Sequence, residues 1–235
     1  MSEVIRSTLR ILTFRAGRDE LVALDHRHLK FGLFCTWVVG VGRWWDDSRA
    51  NLLQHLGLGS VIYVFVLTAF LWLLIRPLNP KNFRYTQLLT FVSLTSPPAI
   101  IYALPIERWM DLEAARGANA YFLGVVALWR VTMLAMYLHR VSQFRWVRLA
   151  IALLLPMCGI VTALTLLNLD RAAYDVANGI QEDGTSNDLA YLVLFKLTFY
   201  SVVALPPVFG GYFLLVYLDA RSLAQKVVPF NRPKS

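Results

Sequence analysis

The chain has 235 residues, 57% hydrophobic and 16% charged, with a formal net charge of +8. A soluble domain carries about 25% charged residues; the deficit, together with apolar runs of membrane-spanning length, excludes a soluble globular class and indicates a polytopic membrane protein. The basic excess has no aromatic–basic module beside it, which argues against nucleic acid as a partner.

Residues 1–30 hold six Lys/Arg and no apolar h-region, so no cleavable signal peptide is expected. Within them, VIRSTLRILTF (4–14) sets a broad apolar arc against Arg6, Arg10 and Thr13, until Arg15 interrupts it. That pattern suits an interfacial helix on the inner leaflet, or else a partly disordered basic arm. The DHRH run of Asp25, His26 and His28 matches no metal-site spacing, and no metal or other cofactor is expected.

Six candidate spans follow, at 31–45, 57–75, about 86–106, 119–138, about 147–168 and about 190–218. The first is short for a crossing that takes roughly 20 residues at 1.5 Å each, and the sixth is long. Gly32, Gly40 and Gly42 fit the first span for close packing on a neighbour. Trp44, Trp45 and Trp109 fall at outer boundaries, as interfacial belt residues do. Cys35 and Cys158 lie apart in apolar segments and read as small buried hydrophobes.

With six spans, residues 1–30, the loops 76–85 and 139–146 and the tail 219–235 share one side. Counting Arg148 just inside the fifth span, that side carries sixteen Lys/Arg, against five for Arg43, Arg49, Arg108, Arg116 and Arg171 on the other. The positive-inside rule then puts both termini in the cytoplasm, and a bacterial inner membrane is the expected location. The expected organisation is a basic N-terminal segment (1–30), a transmembrane helical domain (31–218) and a basic tail (219–235). The fold class is an all-α polytopic membrane helix bundle.

Two of the spans share a motif. LTFVSLTSPPAIIY (89–102) and LTFYSVVALPPVFGGY (197–212) both begin LTF-x-S and reach a Pro-Pro pair. On this topology they cross in opposite directions, as in an inverted 3+3 repeat, where interrupted segments at matching positions point to a binding site. Proline removes a backbone donor and clashes with the preceding turn, so a break frees polar groups that protein or a cavity must satisfy. Pro105, near the outer boundary, would simply end the third span.

Arg130 lies near the centre of the fourth span, where a guanidinium costs at least about 2.5–3.5 kcal/mol and must face a partner inside the bundle. No Asp or Glu lies clearly inside a span, which leaves two roles. It bonds carbonyls freed by the proline breaks, or it receives an anionic ligand. Lys196 is close enough to the outer end of the sixth span to snorkel. The expected ligand site therefore comprises Ser96, Pro97, Pro98 and Tyr102 on the third span, Arg130 on the fourth, and Lys196, Pro206 and Pro207 on the sixth. No catalytic motif is found, and no carboxylate or His pair shares a depth. The expected function is non-enzymatic binding, or movement, of a lipid or small anion. The alternative is a scaffold or accessory subunit of a larger membrane complex, with other membrane proteins as partners beside the lipids.

GRWWDD (42–47) after a short first span, and SPPAIIYALPIERWMD (96–111) in the third, resemble a group of bacterial integral membrane proteins. Their Pro-rich membrane segments are distantly similar to the Yip1 family. The resemblance covers roughly residues 31–140 and implies a membrane address and a helical fold, with no reaction. Yip1-family proteins usually have five spans, against the six read here.

Overall fold

The computed structural model of the chain describes residues 2–42, 52, 56–103, 109–177 and 188–227, and every regular element among them is helical. The amphipathic N-terminal pattern forms helix α1, Ser2–Leu12, with Arg6 and Arg10 outward and Ile11 fully buried. Phe14, at φ 61°, turns the chain toward the short α2, Arg18–Val22. Helix α3, His26–Gly42, is opened by Asp25, whose Oδ1 accepts the N–H groups of Arg27 (3.0 Å) and His28 (3.2 Å). An aspartate in that position satisfies two of the four N–H groups a helix start leaves over. Ile11, Ala16 and Leu21 belong to the main core, so the N-terminal segment packs as part of the bundle.

Four helices are long and apolar enough to cross a membrane: α4 (Leu58–Ile75), α6 (Leu112–Arg140), α7 (Trp146–Ala177) and α8 (Asp188–Val227). Their outward residues are large and apolar, including Ile62, Val66, Leu73, Leu128, Leu166 and Phe213, while Thr36, Thr68, Ser93 and Ser96 are buried. Apolar outside and hydroxyls inside reverses the water-soluble pattern and suits lipid as solvent.

The other two expected spans take different forms. The first falls in α3, a helix of 17 residues described only to Gly42, and Trp44 and Trp45 lie outside the described residues. The third is broken. Helix α5, Tyr85–Leu94, stops after ten residues, and a 3₁₀ helix over Pro97–Ala103 continues the path. At 1.5 and 2.0 Å per residue the two pieces reach about 29 Å together, close to the hydrocarbon thickness. Pro105 lies outside the described residues.

The sixth span corrects the expectation of a matching break. Pro206 and Pro207 sit inside an unbroken helix running from Asp188 to Val227, and both are exposed. The residues before each proline pair supply the reason. Ahead of Pro97 stand Ser93, Thr95 and Ser96, whose hydroxyls can bond the groups that a break releases. Ahead of Pro206, after Ser201, stand Val202, Val203, Ala204 and Leu205, which carry no hydroxyl. An open break without donors is costly in lipid, so the helix there runs on. The loop expected from residue 169 also differs, since α7 stays helical to Ala177.

Helix α5 is the centre of the bundle, with every residue from Gln87 to Ser96 buried. It packs on α3 and α4, while α7 and α8 form a second closely packed pair. Phe91 stacks on Tyr137 of α6 at 4.4 Å between ring centroids. Gly32 of α3 makes the α3–α5 approach possible: a Cβ there would lie 2.3 Å from Ser93 Oγ and 3.0 Å from the Leu94 amide nitrogen. Gly40 does the same against the carbonyl of Gly57, itself left-handed at φ 70°. Gly32 and Gly40 thus make the close contacts expected of them.

The segments grouped by charge meet at one end of the bundle. Lys81 N–H donates to the Ser142 carbonyl at 3.3 Å, and an Arg140 Nη donates to the carbonyls of Phe14 and Ala16. Gln87 Nε2 reaches the carbonyls of Leu21 and Val22, both at 3.1 Å. Arg148 at the start of α7 pairs with Asp219 near the end of α8 at 2.6 Å. Trp72, Arg76 and Tyr85 form an aromatic–cationic cluster at this same end, with Arg76 4.6 Å over the Trp72 ring.

Candidate functional site

The break in the third span starts where α5 runs out of donors. Thr95 closes the helix by bonding back to Val92, through its N–H at 3.1 Å and through its hydroxyl at 2.7 Å. Ser93 Oγ donates to the Thr90 carbonyl at 2.8 Å, and Ser96 N–H donates to Ser93 at 3.2 Å. The Ser96 and Thr36 hydroxyls share a buried hydrogen bond of 2.7 Å, which ties the break to α3. Ala99 N–H donates to the Ser96 carbonyl and starts the 3₁₀ helix. The polar groups opened by Pro97 and Pro98 are thus largely answered from within the protein.

Arg130 completes this arrangement. Its Nε donates to the Thr95 carbonyl at 3.4 Å, a long contact but a charge-assisted one. Of the two roles open to Arg130 from sequence, the structure displays the first, bonding to a carbonyl that the break exposes. The position also places positive charge at the C-terminal end of α5, where the helix dipole is negative.

The remaining expected site residues do not all converge. Ser96 is buried at the break, and Pro97 and Pro98 are half-buried beside it. Tyr102 lies in the same 3₁₀ helix, but its side chain falls outside the described residues. Lys196, Pro206 and Pro207 are exposed on α8, whose main packing partner is α7. The third and fourth spans therefore supply a common site; the sixth contributes none of its expected residues to the buried break.

A half-open pocket of mixed polar and apolar lining lies at the opposite, N-terminal end of α5. It has a volume of about 460 Å³ and is lined by Asp25, His26, Arg84 and Gln87 together with apolar Val22 and Leu29. Arg84 is the N-cap of α5 but provides no side-chain cap, and helical pairing begins only with Leu88 N–H to the Arg84 carbonyl. The first turn thus directs positive dipole toward the cavity. Asp25 supplies the opposite charge. His28 Nδ1 lies 2.6 Å from its Oδ1, and this bond, helped by the N–H groups of His28 and Arg27, lowers the carboxyl pKa to about 2. Asp25 therefore stays ionised at any physiological pH.

Sequence reading passed over Arg84 and Gln87 because each belongs to a boundary that looked like ordinary topology signal. Gln87, an amide inside an apolar run, was the available clue. Among the described residues, no group of three His, Cys, Asp or Glu could hold a metal ion. Comparison with known proteins returned no matching family model, no similar curated protein and no similar solved structure.

Proposed function

We propose that this chain is a multi-pass membrane protein that binds a lipid or small anionic ligand at its broken third span, without catalysing a reaction. The observation that carries the reading is the buried half-helix α5, held at its carbonyl end by Arg130 and opening at its amide end into this pocket. The first turn of α5 has no side-chain cap, and unpaired N–H groups at a helix start favour an anionic group. We extend the topology to six crossings, with α3 and the broken third span completing the four long helices. The clustering of the basic segments at one end supports cytoplasmic termini in a bacterial inner membrane. The two LTF-x-S segments have different backbones, so the reading rests on the third span alone and needs no internal repeat. The distant Yip1-like resemblance is compatible with it.

The test is native mass spectrometry of the full chain released from mild detergent. Wild type should retain one equivalent of a lipid or anionic metabolite. Arg130→Ala, which loosens the half-helix carrying the site, should lower that retention while circular dichroism stays helical. Equal retention in the two proteins would overturn the reading.

A scaffold role is the second reading, since α8 packs mainly on one neighbour and its outer face is open to a partner helix as well as to lipid. Phe199, Val203, Phe213 and Tyr217 all point outward from a helix packed mainly on one neighbour. Stable co-purification of a second membrane protein would support this alternative, and a monodisperse chain without partners would count against it.

A further inference from the structure

The cavity at the amide end of α5 joins three features. Its volume of about 460 Å³ falls in the range of small-ligand sites. It carries both signs of charge, since Arg84 and Asp25 both line it. It also opens at a particular depth. Tyr85, the neighbour of Arg84, meets Trp72 edge-on at 6.2 Å, and Arg76 lies over that same indole. Trp and Tyr rings interleaved with arginine are the signature of the headgroup level of a bilayer.

These features limit the ligand. A dianion would be drawn to Arg84 and the first turn of α5 but repelled by Asp25, whose carboxylate is ionised down to strongly acid pH. A plain cation would meet the reverse. A ligand with a phosphate at one end and an ammonium at the other satisfies both charges. Apolar Val22, Leu24 and Leu29 can then cover its glycerol and upper acyl carbons.

We propose that this cavity holds the headgroup of a zwitterionic phospholipid, a phosphate diester bearing a primary ammonium, taken from the leaflet at the basic end. Arg84 and the N–H groups of Thr86 and Gln87 receive the phosphate. The ammonium donates to Asp25, where the cap and His28 bonds all fall on Oδ1. This assignment rests on the ligand-binding reading above and gives it a lipid class and a set of contacts.

The experiment uses the delipidated full chain incubated with mixed micelles of equimolar phosphatidylethanolamine and phosphatidylglycerol, with bound lipid read by native mass spectrometry. Wild type should retain the ethanolamine lipid preferentially, by up to about fivefold for one partly exposed ion pair. Asp25→Asn keeps the helix cap, since asparagine caps as well as aspartate, and should bring the ratio to about one. Arg84→Ala should lower retention of both lipids by about tenfold, as expected for loss of a charge-assisted phosphate contact, and Arg84→Lys should restore part of it. An unchanged lipid ratio in Asp25→Asn would overturn the proposal. Wild-type preference for phosphatidylglycerol would overturn it while leaving the broader ligand-binding reading intact. Retention of neither lipid, nor of any other ligand, would overturn both.

Discussion

Arg130 Nε lies 3.4 Å from the carbonyl oxygen of Thr95, joining the middle of the fourth span to the break in the third. The contact couples an arginine deep in a long span to the span that breaks at its proline pair. Removing it leaves a buried carbonyl short of its donor. Arg130→Ala should therefore lower stability in detergent by about 1–2 kcal/mol, the low end for a hydrogen bond to a charged group because this one is long. Arg130→Lys should recover only part, since a lysine places a point charge without the planar fork. Unfolding midpoints for the three proteins would decide, and an unaltered midpoint in Arg130→Ala would remove Arg130 from the account of the break.

Gly32 sets how near α3 comes to the break. A methyl group there meets Ser93 Oγ at 2.3 Å, which a serine rotation could relieve, and the Leu94 amide nitrogen at 3.0 Å, which it could not. Backbone must move, and the Thr36–Ser96 bond moves with it. Gly32→Ala should cost about 1–3 kcal/mol, as overpacking in a tight core does. Gly124→Ala on α6, where nothing lies within 4 Å of the added carbon, should change little. The pair, measured side by side by thermal unfolding, separates packing from helix propensity.

The two proline pairs should respond in opposite directions. Replacing Pro206 and Pro207 with alanine returns two N–H donors to an unbroken, exposed helix, so stability should hold or rise. Replacing Pro97 and Pro98 with alanine lets α5 compete to continue through Ser96 and Pro97, which would pull Thr95 away from Arg130. That double variant should be destabilised. Loss of stability in the Pro206/Pro207 variant would instead indicate a kink that matters to the bundle.

Much of this architecture was legible because lipid leaves a strong imprint. Apolar length located the four long helices, and arginine and lysine placement grouped the segments that do meet at one end. The glycines of α3 and the two possible roles of Arg130 were also readable. The false step was to equate two Pro-Pro pairs. Proline states only that a donor is missing; whether the helix opens depends on who can bond the freed groups. Thr95 and Ser96 make that possible in one span, and Ala204 and Leu205 do not in the other. The cavity was hidden for a different reason. Asp25 and Gln87 are 62 residues apart, and only the return of α2 onto α5, through Gln87 to Leu21 and Val22, brings them to one pocket.

Asp25 gives a pH-dependent prediction with a definite sign. Its folded pKa lies near 2, below the ordinary 3.8, so ionised Asp25 favours the folded state. That contribution is complete above the ordinary value and is lost as pH falls through the folded one. The stability advantage of wild type over Asp25→Asn should therefore be present at about pH 4.5 and shrink toward about pH 2. Melting curves of the two proteins across that window test it, and a difference that persists undiminished at the acid limit would contradict the His28 bond as its origin.

The Arg148–Asp219 pair makes the final prediction, because it is a polar clasp between the start of α7 and the end of α8. Arg148 Nη2 donates to Asp219 Oδ1 at 2.6 Å, and Nη1 donates to the Leu78 carbonyl at 3.4 Å. Asp219 is only 16% exposed, and its Oδ2 is buried without a hydrogen-bond partner among the described residues. Arg148→Ala therefore strands a partly buried carboxylate, and should cost about 1–3 kcal/mol. Asp219→Ala removes the charge that needed the partner, so adding it to Arg148→Ala should give back part of the loss. A double-mutant cycle should show a coupling of about 1 kcal/mol or more, since the pair is shielded more than a surface ion pair yet open at the arginine side. A coupling near zero would make the ion pair a passenger at an interface held by apolar packing and the Thr165–Thr198 hydrogen bond of 2.7 Å.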